Sequence, residues 1–340
     1  MEIKRILVSR TDKIGDLILS IPSFFMLRKM YPEAEITVLV RKYNYEIVKN
    51  LPYIDRVVKI DDYTEKSLID KIGYFKADVF IALYNDAFIS KLAKKSGAKL
   101  RIGPYSKLSS FFVFNRGVFQ KRSKSVKNEA EYNLDLIRKL NPALFKKNYE
   151  LNTEIVLEDK NREVADKFYN DTVPKGRKVL VINPFMGGSA KNLKDEQYTS
   201  LIRKILQGND NIDVILTVHI SDEERAQKLL ENLDESRVHI FANGGGLLNT
   251  AAVIEKCDLY LGGSTGPTHI AGALQKNIVG IYPKLKTQST TRWGVFGNNK
   301  VEYLIPDYKS KKEDYSHKYF DSYNEELENL LVKTVLSKIQ

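Results

Sequence analysis

Residues 6–30 read ILVSRTDKIGDLILSIPSFFMLRKM. The apolar run Ile6–Ser9 has the length of a buried strand. It ends in a polar loop, Arg10-Thr11-Asp12-Lys13-Ile14-Gly15-Asp16, and the apolar stretch Leu17–Met30 behind it is long enough for a helix. Strand, short loop and helix in that order open a parallel α/β sheet. The alternation continues outward, with strands predicted at Ile36–Val40, Val57–Ile60, Val79–Leu83 and Leu100–Ile102 and a helix at Phe88–Ser96. It restarts at Val179–Ile182 and runs through Val214–Val218, His239–Phe241, Leu259–Leu261 and Ile278–Ile281. Helices are predicted there at Glu196–Leu206, Asp222–Leu233 and Leu248–Lys256. Apolar strands spaced by amphipathic helices belong to parallel sheets covered on both faces. Two such runs predict two doubly wound α/β domains.

The length agrees. With 340 residues, 43% of them hydrophobic, the chain can bury two cores of ordinary size. Polar residues around Asn141–Asn152 and the Pro174-Lys175-Gly176-Arg177 turn bracket the passage between them. The domains are accordingly placed at 1–155 and 156–320, and 321–340 reads as an amphipathic helix that could pack back on the first domain. Cys257 is the single cysteine, so an intramolecular disulfide is excluded and a reducing compartment is the simpler setting. Glu2-Ile3-Lys4-Arg5 leads into too short an apolar run for a signal peptide, and charges interrupt every run before it reaches membrane-spanning length. The sequence reads as a soluble protein of the cytoplasm.

The net charge of +11 is concentrated. Between Asp86 and Glu129 there is no acidic residue, while Lys91, Lys94, Lys95, Lys99, Arg101, Lys107, Arg116, Lys121, Arg122, Lys124 and Lys127 fall within that interval. Phe88, Tyr105, Phe111, Phe112, Phe114 and Phe119 are interleaved with them. Such a field favours an anionic partner, either nucleic acid, a phosphorylated glycolipid or an acidic membrane surface. An ordinary solvated face with a few core aromatics has the same composition.

Three loops carry residues suited to chemistry, and each follows a predicted strand, where open α/β sheets bind ligands. In the first, Gly15 permits a tight turn and Asp16 stands at the start of a helix, as a reactive carboxylate or as a plain N-cap. The second is Pro184-Phe185-Met186-Gly187-Gly188-Ser189-Ala190-Lys191, where glycines, a hydroxyl and a lysine ahead of a helix suit a phosphate. A glycine turn with a solvated lysine reads the same way. It has neither Walker A spacing nor the GxGxxG of a dinucleotide site. The third runs Gly262-Gly263-Ser264-Thr265-Gly266-Pro267-Thr268-His269. Pro267 fits a first helical turn, Ser264 or Thr265 could cap it, and His269 lies one turn in, as a ligand contact or a structural histidine. No metal is expected: the histidines are scattered, and neither CxxC nor Asp-x-Asp occurs. No cofactor is expected either.

Together these loops resemble glycosyltransferase family 9, the ADP-heptose:lipopolysaccharide heptosyltransferases. The R-x-x-x-[IL]-G-D opening is met by Arg10, Ile14, Gly15 and Asp16, with Pro22 in the helix and Tyr31-Pro32-Glu33-Ala34 as the following turn. Pro184, Gly187, Ala190 and Lys191 match the mid-chain loop, and Thr265 to Leu274 match the late signature. Ser264 departs from the family's acidic residue near the donor sugar, and Asn192-Leu193-Lys194 replaces Arg-Trp-Pro. The resemblance implies a GT-B fold, with an N-terminal acceptor domain and a C-terminal donor domain facing a central cleft. It implies inverting, metal-independent transfer of heptose from ADP-heptose to a lipopolysaccharide inner-core acceptor, with Asp16 as the general base. Gly187, Gly188, Ser189, Lys191, Ser264, Thr265, Gly266 and His269 would then hold the donor. Arg10, Lys121, Arg122 and Lys124 would meet an anionic glycolipid acceptor, at a peripheral contact with the inner membrane surface.

Rival readings stay open. A transferase for another nucleotide sugar follows from Ser264, and a sugar-nucleotide 2-epimerase shares the scaffold but leaves the Gly15-Asp16 loop without a use. Nucleic-acid binding would use the basic segment, yet no helix-turn-helix, KH or RNP signature is present.

Overall fold

The computed structural model describes residues 2–339 apart from 107, 187, 189, 232, 234–235, 307–317 and 321. The chain divides into two compact units, Met1–Val156 and Leu157–Gln340.

In the first unit β1 (Arg5–Ser9), β2 (Glu35–Val40), β3 (Arg56–Lys59), β4 (Val79–Ala82) and β5 (Leu100–Ile102) form a sheet in the order β3-β2-β1-β4-β5. Every pairing is parallel. Its helices are α1 (Ile14–Ile18), α2 (Ile21–Met30), α3 (Glu65–Lys71), α4 (Ala87–Lys95), α5 (Glu129–Leu140) and α6 (Pro142–Lys147). Leu7, Leu39, Val58 and Phe80 from the strands pack with Ile89 and Leu92 of α4 and with Phe114. The single helix predicted over Leu17–Met30 is broken. Pro22 lies in the first turn of α2, the place where its missing N–H costs nothing, and it cannot continue an earlier helix. Asn133 of α5 holds the break, donating to the Leu19 carbonyl at 3.3 Å and to Ser20 Oγ at 3.1 Å.

In the second unit β6 (Lys178–Ile182), β7 (Ile212–His219), β8 (Val238–Asn243), β9 (Leu259–Gly262), β10 (Ile278–Ile281) and β11 (Val301–Leu304) pair in the order β11-β10-β9-β6-β7-β8. These pairings too are all parallel. The helices are α7 (Asp159–Thr172), α8 (Asp195–Gly208), α9 (Glu223–Glu231), α10 (Leu247–Lys256), α11 (Gly266–Ala273), α12 (Thr290–Trp293) and α13 (Glu325–Lys338). The edge strand β11 escaped the sequence reading, because Glu302 and Tyr303 interrupt its apolar pattern. The last helix, α13, sends Leu331 and Val335 into the core of the second unit, and its Glu328 pairs with Lys204 of α8. Those apolar residues are four apart and so form one stripe, which α8 covers.

Both sheets are doubly wound. In each the order reverses beside the first strand, between β1 and β4 and between β6 and β9, and the crevice outside the carboxyl ends of such a pair is where these sheets bind ligands.

Candidate active site

At the first crevice Arg10 leaves β1 and turns inward, with 1% of its surface exposed. Its Nη2 donates to Asp16 Oδ1 at 2.6 Å, and its Nε lies 2.7 Å from Asp12 Oδ1. Nη1 donates to Glu129 Oε1 and Asn133 Oδ1, both at 3.1 Å, and to the Leu83 carbonyl at 3.2 Å beyond β4. Glu129, buried at the start of α5, also accepts from Arg122 Nη1 at 2.6 Å. Two guanidinium groups thus face three carboxylates. Burial works against the Arg10 charge, but Asp12, Asp16 and Glu129 outweigh it and raise its pKa. Burial also pushes Asp12 up to about 7; Arg10 opposes that shift, and Asp16 and Glu129 add to it.

Asp16 is the third residue of α1 and makes no capping bond; Lys13 is the N-cap residue. The simple cap reading therefore gives way to an ion pair with Arg10. Tyr43 and Tyr84 follow β2 and β4 and are 55% and 36% exposed. The Tyr43 hydroxyl and Asn44 Nδ2 both donate to the Asp12 carbonyl, which pins the loop. Burial, then Asp12 for Tyr43 and Asp86 and Asp12 for Tyr84, raises both phenol pKa values. Both rings therefore lie within the field of the acidic loop.

The structure corrects two of the expected acceptor contacts. Arg10 is interior and committed to carboxylates, and Arg122 is committed to Glu129, Gln120 and the Leu83 carbonyl. Lys121 and Lys124 remain exposed. In the run Phe111-Phe112-Val113-Phe114, Val113 and Phe114 are buried, whereas Phe112 is 74% exposed, as Phe119 beyond it is at 69%. Tyr105 stacks on Phe111 at 4.2 Å, and Phe119 closes the cluster at 5.2 Å from Tyr105. Exposed Lys121 and Lys124 therefore follow exposed Phe119 closely in the chain.

At the second crevice the loop after β6 is tied down from both ends. Asn183 Nδ2 donates to the Thr217 carbonyl at 2.7 Å, and Asn192 Nδ2 to the Pro184 carbonyl at 2.6 Å. Tyr198 of α8 donates to Asn192 Oδ1 at 2.8 Å, while Leu193 enters the core. The departure from Arg-Trp-Pro thus keeps a structural use. Gly188 has φ +77°, a backbone that favours glycine, and a Cβ there would meet nothing within 4 Å. Lys191 is 3% exposed, not the solvated lysine of the alternative reading. Gly187 and Ser189 lie outside the described residues.

The loop after β9 comes up against this one, since a Cβ on Gly263 would lie 3.0 Å from Met186 Sδ. Thr265 is the N-cap residue of α11, but its N–H is spent on the Gly263 carbonyl at 2.9 Å. The N–H of Gly266, at the first helical position, is one that helix geometry leaves without an intrahelical partner. Ser264 is half-buried beside it. His269 is 4% exposed, its Nδ1 has no hydrogen-bond partner among the described residues, and burial lowers its pKa to about 4. A neutral imidazole with an open nitrogen under a helix start suits an oxyanion or a sugar hydroxyl.

Sequence reasoning missed Asp12, Glu129, Tyr43 and Tyr84. Asp12 lay inside the quoted loop, and Glu129 ends the acid-free interval; nothing local marks the tyrosines beyond their place after strands.

The sequence profile of glycosyltransferase family 9 (heptosyltransferase) matches residues 66–322. A Haemophilus influenzae protein, provisionally named a glycosyltransferase, is 32% identical over 307 residues, covering 85% of each chain. A family 9 glycosyltransferase from Veillonella parvula superposes with a TM-score of 0.81 at 19% identity, covering 99% of this chain and 97% of that one. The ADP-heptose LPS heptosyltransferase II of E. coli gives 0.79 at 15% identity, covering 99% and 98%.

Proposed function

The chain belongs to glycosyltransferase family 9, and from that premise we propose that it transfers heptose from ADP-heptose to a lipopolysaccharide inner-core acceptor. The observation that carries the reading is Asp16, a carboxylate anchored by one oxygen to a buried arginine at the first crevice. Asp16 takes the proton from the acceptor hydroxyl as that oxygen attacks the anomeric carbon. The bond from that carbon to the diphosphate breaks on the opposite face, so configuration inverts. The leaving charge is met by Lys191 and by backbone N–H groups at Gly188 and Gly266, with His269 as a neutral hydrogen-bond partner. Thr265 and Ser264 adjoin the sugar. No step calls on a metal, so EDTA leaves the rate unchanged.

The acceptor is anionic and lipid-linked. Lys121, Lys124 and the exposed rings of Phe111, Phe112 and Phe119 draw the first unit to the anionic inner face of the cytoplasmic membrane. Ser264 favours a second reading, a different nucleotide sugar for surface glycan synthesis, because a neutral hydroxyl stands where the family has an acid.

Calorimetry with ADP, UDP, GDP and ADP-heptose tests the donor. ADP is expected to bind at least about tenfold more tightly than UDP or GDP, and ADP-heptose more tightly than ADP. A preference for UDP or GDP would remove ADP-heptose and leave the second reading.

A further inference from the structure

Arg10 Nη2 serves two carboxylates. It donates to Asp16 Oδ1 at 2.6 Å and to Glu129 Oε1 at 3.2 Å, so both acids draw on one nitrogen. Glu129 Oε1 also accepts from Arg10 Nη1 at 3.1 Å and from Arg122 Nη1 at 2.6 Å. The Leu83 carbonyl is shared in the same way, 3.2 Å from Arg10 Nη1 and 3.2 Å from Arg122 Nη2. Both guanidinium groups thus meet the same two acceptors, one at the start of α5 and one just past β4. Of the three bonds to Glu129 Oε1, the one from Arg122 is the shortest. Coulomb attraction falls with distance, so Arg122 carries the larger part of the pairing of Glu129.

The backbone that brings Arg122 to this place is strained. Arg122–Lys124 form one 3-10 turn, with Lys121 at φ +44° before it and Ser125 at φ +48° after it. Left-handed backbone is costly for residues other than glycine and persists where surrounding contacts hold it. Here side chains fasten the turn to α5. Arg122 Nε donates to Gln120 Oε1 at 2.8 Å, Gln120 Nε2 donates to the Tyr132 carbonyl, and the Val126 N–H donates to the buried Tyr132 hydroxyl at 3.3 Å.

From this geometry we infer that Arg122 is a positioning residue for the transfer: by engaging Glu129 it leaves Arg10 Nη2 to Asp16. The catalytic meaning of this rests on Asp16 being the base. Without the Arg122 charge, Glu129 competes with Asp16 for Arg10. The competition favours Glu129, because Nη1 and Nη2 both already reach its Oε1. Asp16 then loses the bond that aims it. Arg122 acts on the reaction through Glu129 and Arg10, not by holding the acceptor.

The test is Arg122→Gln, by itself and combined with Glu129→Gln. The single variant should lower kcat about ten- to a hundredfold, the scale of a misplaced catalytic group, with acceptor KM and ADP affinity within about twofold of wild type. Adding Glu129→Gln removes the competitor and should recover at least about fivefold of the loss, a rescue that a lost acceptor contact would not give. A crystal structure of Arg122→Gln should show Arg10 Nη2 turned from Asp16 to Glu129. Arg122→Met gives the same readings if the Gln variant does not fold. An unchanged kcat, a loss seen only as a raised acceptor KM, a loss that Glu129→Gln does not recover, or an intact Arg10–Asp16 bond in the variant overturns the inference. The crystal structure needs no turnover. An active Asp16→Asn with a displaced Arg10 in Arg122→Gln removes the base and keeps the positioning, whereas an inactive one with Arg10 unmoved does the reverse.

Discussion

Arg10 Nη2 and Asp16 Oδ1 are 2.6 Å apart, joined across a tight loop whose two ends are fixed by β1 and α1. The arginine has no route to solvent, so the pair works as a mount: one carboxylate oxygen is anchored and the other is left to act.

Removing the mount should be costly. Arg10→Leu leaves Glu129 buried with Arg122 alone and strands Asp12, a loss of about 3–5 kcal/mol in unfolding free energy measured by urea titration. Arg10→Lys keeps the charge without the fork and should fall between the two. A Leu variant within about 1 kcal/mol of wild type would show that the cluster is not what holds the loop.

Lys191 is buried beside a glycine-rich turn, so Lys191→Met conserves most of its volume and removes its charge. ADP affinity by calorimetry should fall about ten- to a hundredfold, the scale of one charge-assisted hydrogen bond. Unchanged affinity would make the lysine a structural one.

His269 gives the second unit a pH dependence of defined sign. Its folded pKa of about 4 lies below the ordinary 6.5, so the unfolded chain takes the proton first as pH falls. The stability tied to neutral His269 is complete above about pH 6.5 and is lost down to about pH 4, by at most about 3 kcal/mol. Asp12 works in the opposite sense, since its raised pKa makes the fold lose stability as pH rises towards 7. The comparison is therefore wild type against His269→Gln, whose stability profile between those limits should lack the histidine's slope. Identical slopes would mean that the imidazole is not held neutral.

The exposed rings of Phe112 and Phe119, with exposed Lys121 and Lys124, predict salt-sensitive binding to vesicles containing phosphatidylglycerol. Lys121→Glu with Lys124→Glu reverses two charges, each worth about 1 kcal/mol near an anionic surface, and Phe112→Ser with Phe119→Ser removes apolar insertion. Either pair should weaken sedimentation with vesicles more than about tenfold and leave ADP binding alone. Equal sedimentation would return the segment to an ordinary solvated surface.

The alternation of strands and helices made both sheets legible, because apolar runs such as Val79–Leu83 carry their period locally. The loops were legible for the same reason, since each stands directly after such a run. Tertiary choices were not. No local pattern says that Arg10 points inward, because its partner Glu129 lies 119 residues away. Arg122 counted as a surface charge although Glu129 follows it by seven residues, because nothing local says that Glu129 is buried. Pro22 announced the helix break, but a continuous apolar stretch concealed it. β11 was lost because an edge strand needs only one apolar face.

Single-turnover transfer from ADP-heptose to a heptose-free lipopolysaccharide acceptor, in wild type and Asp16→Asn, tests the central claim. The wild type should form product, and the Asn variant should be slower by about 10²–10⁴ while binding ADP-heptose with unchanged affinity. An Asn variant that transfers at close to the wild-type rate would contradict the account.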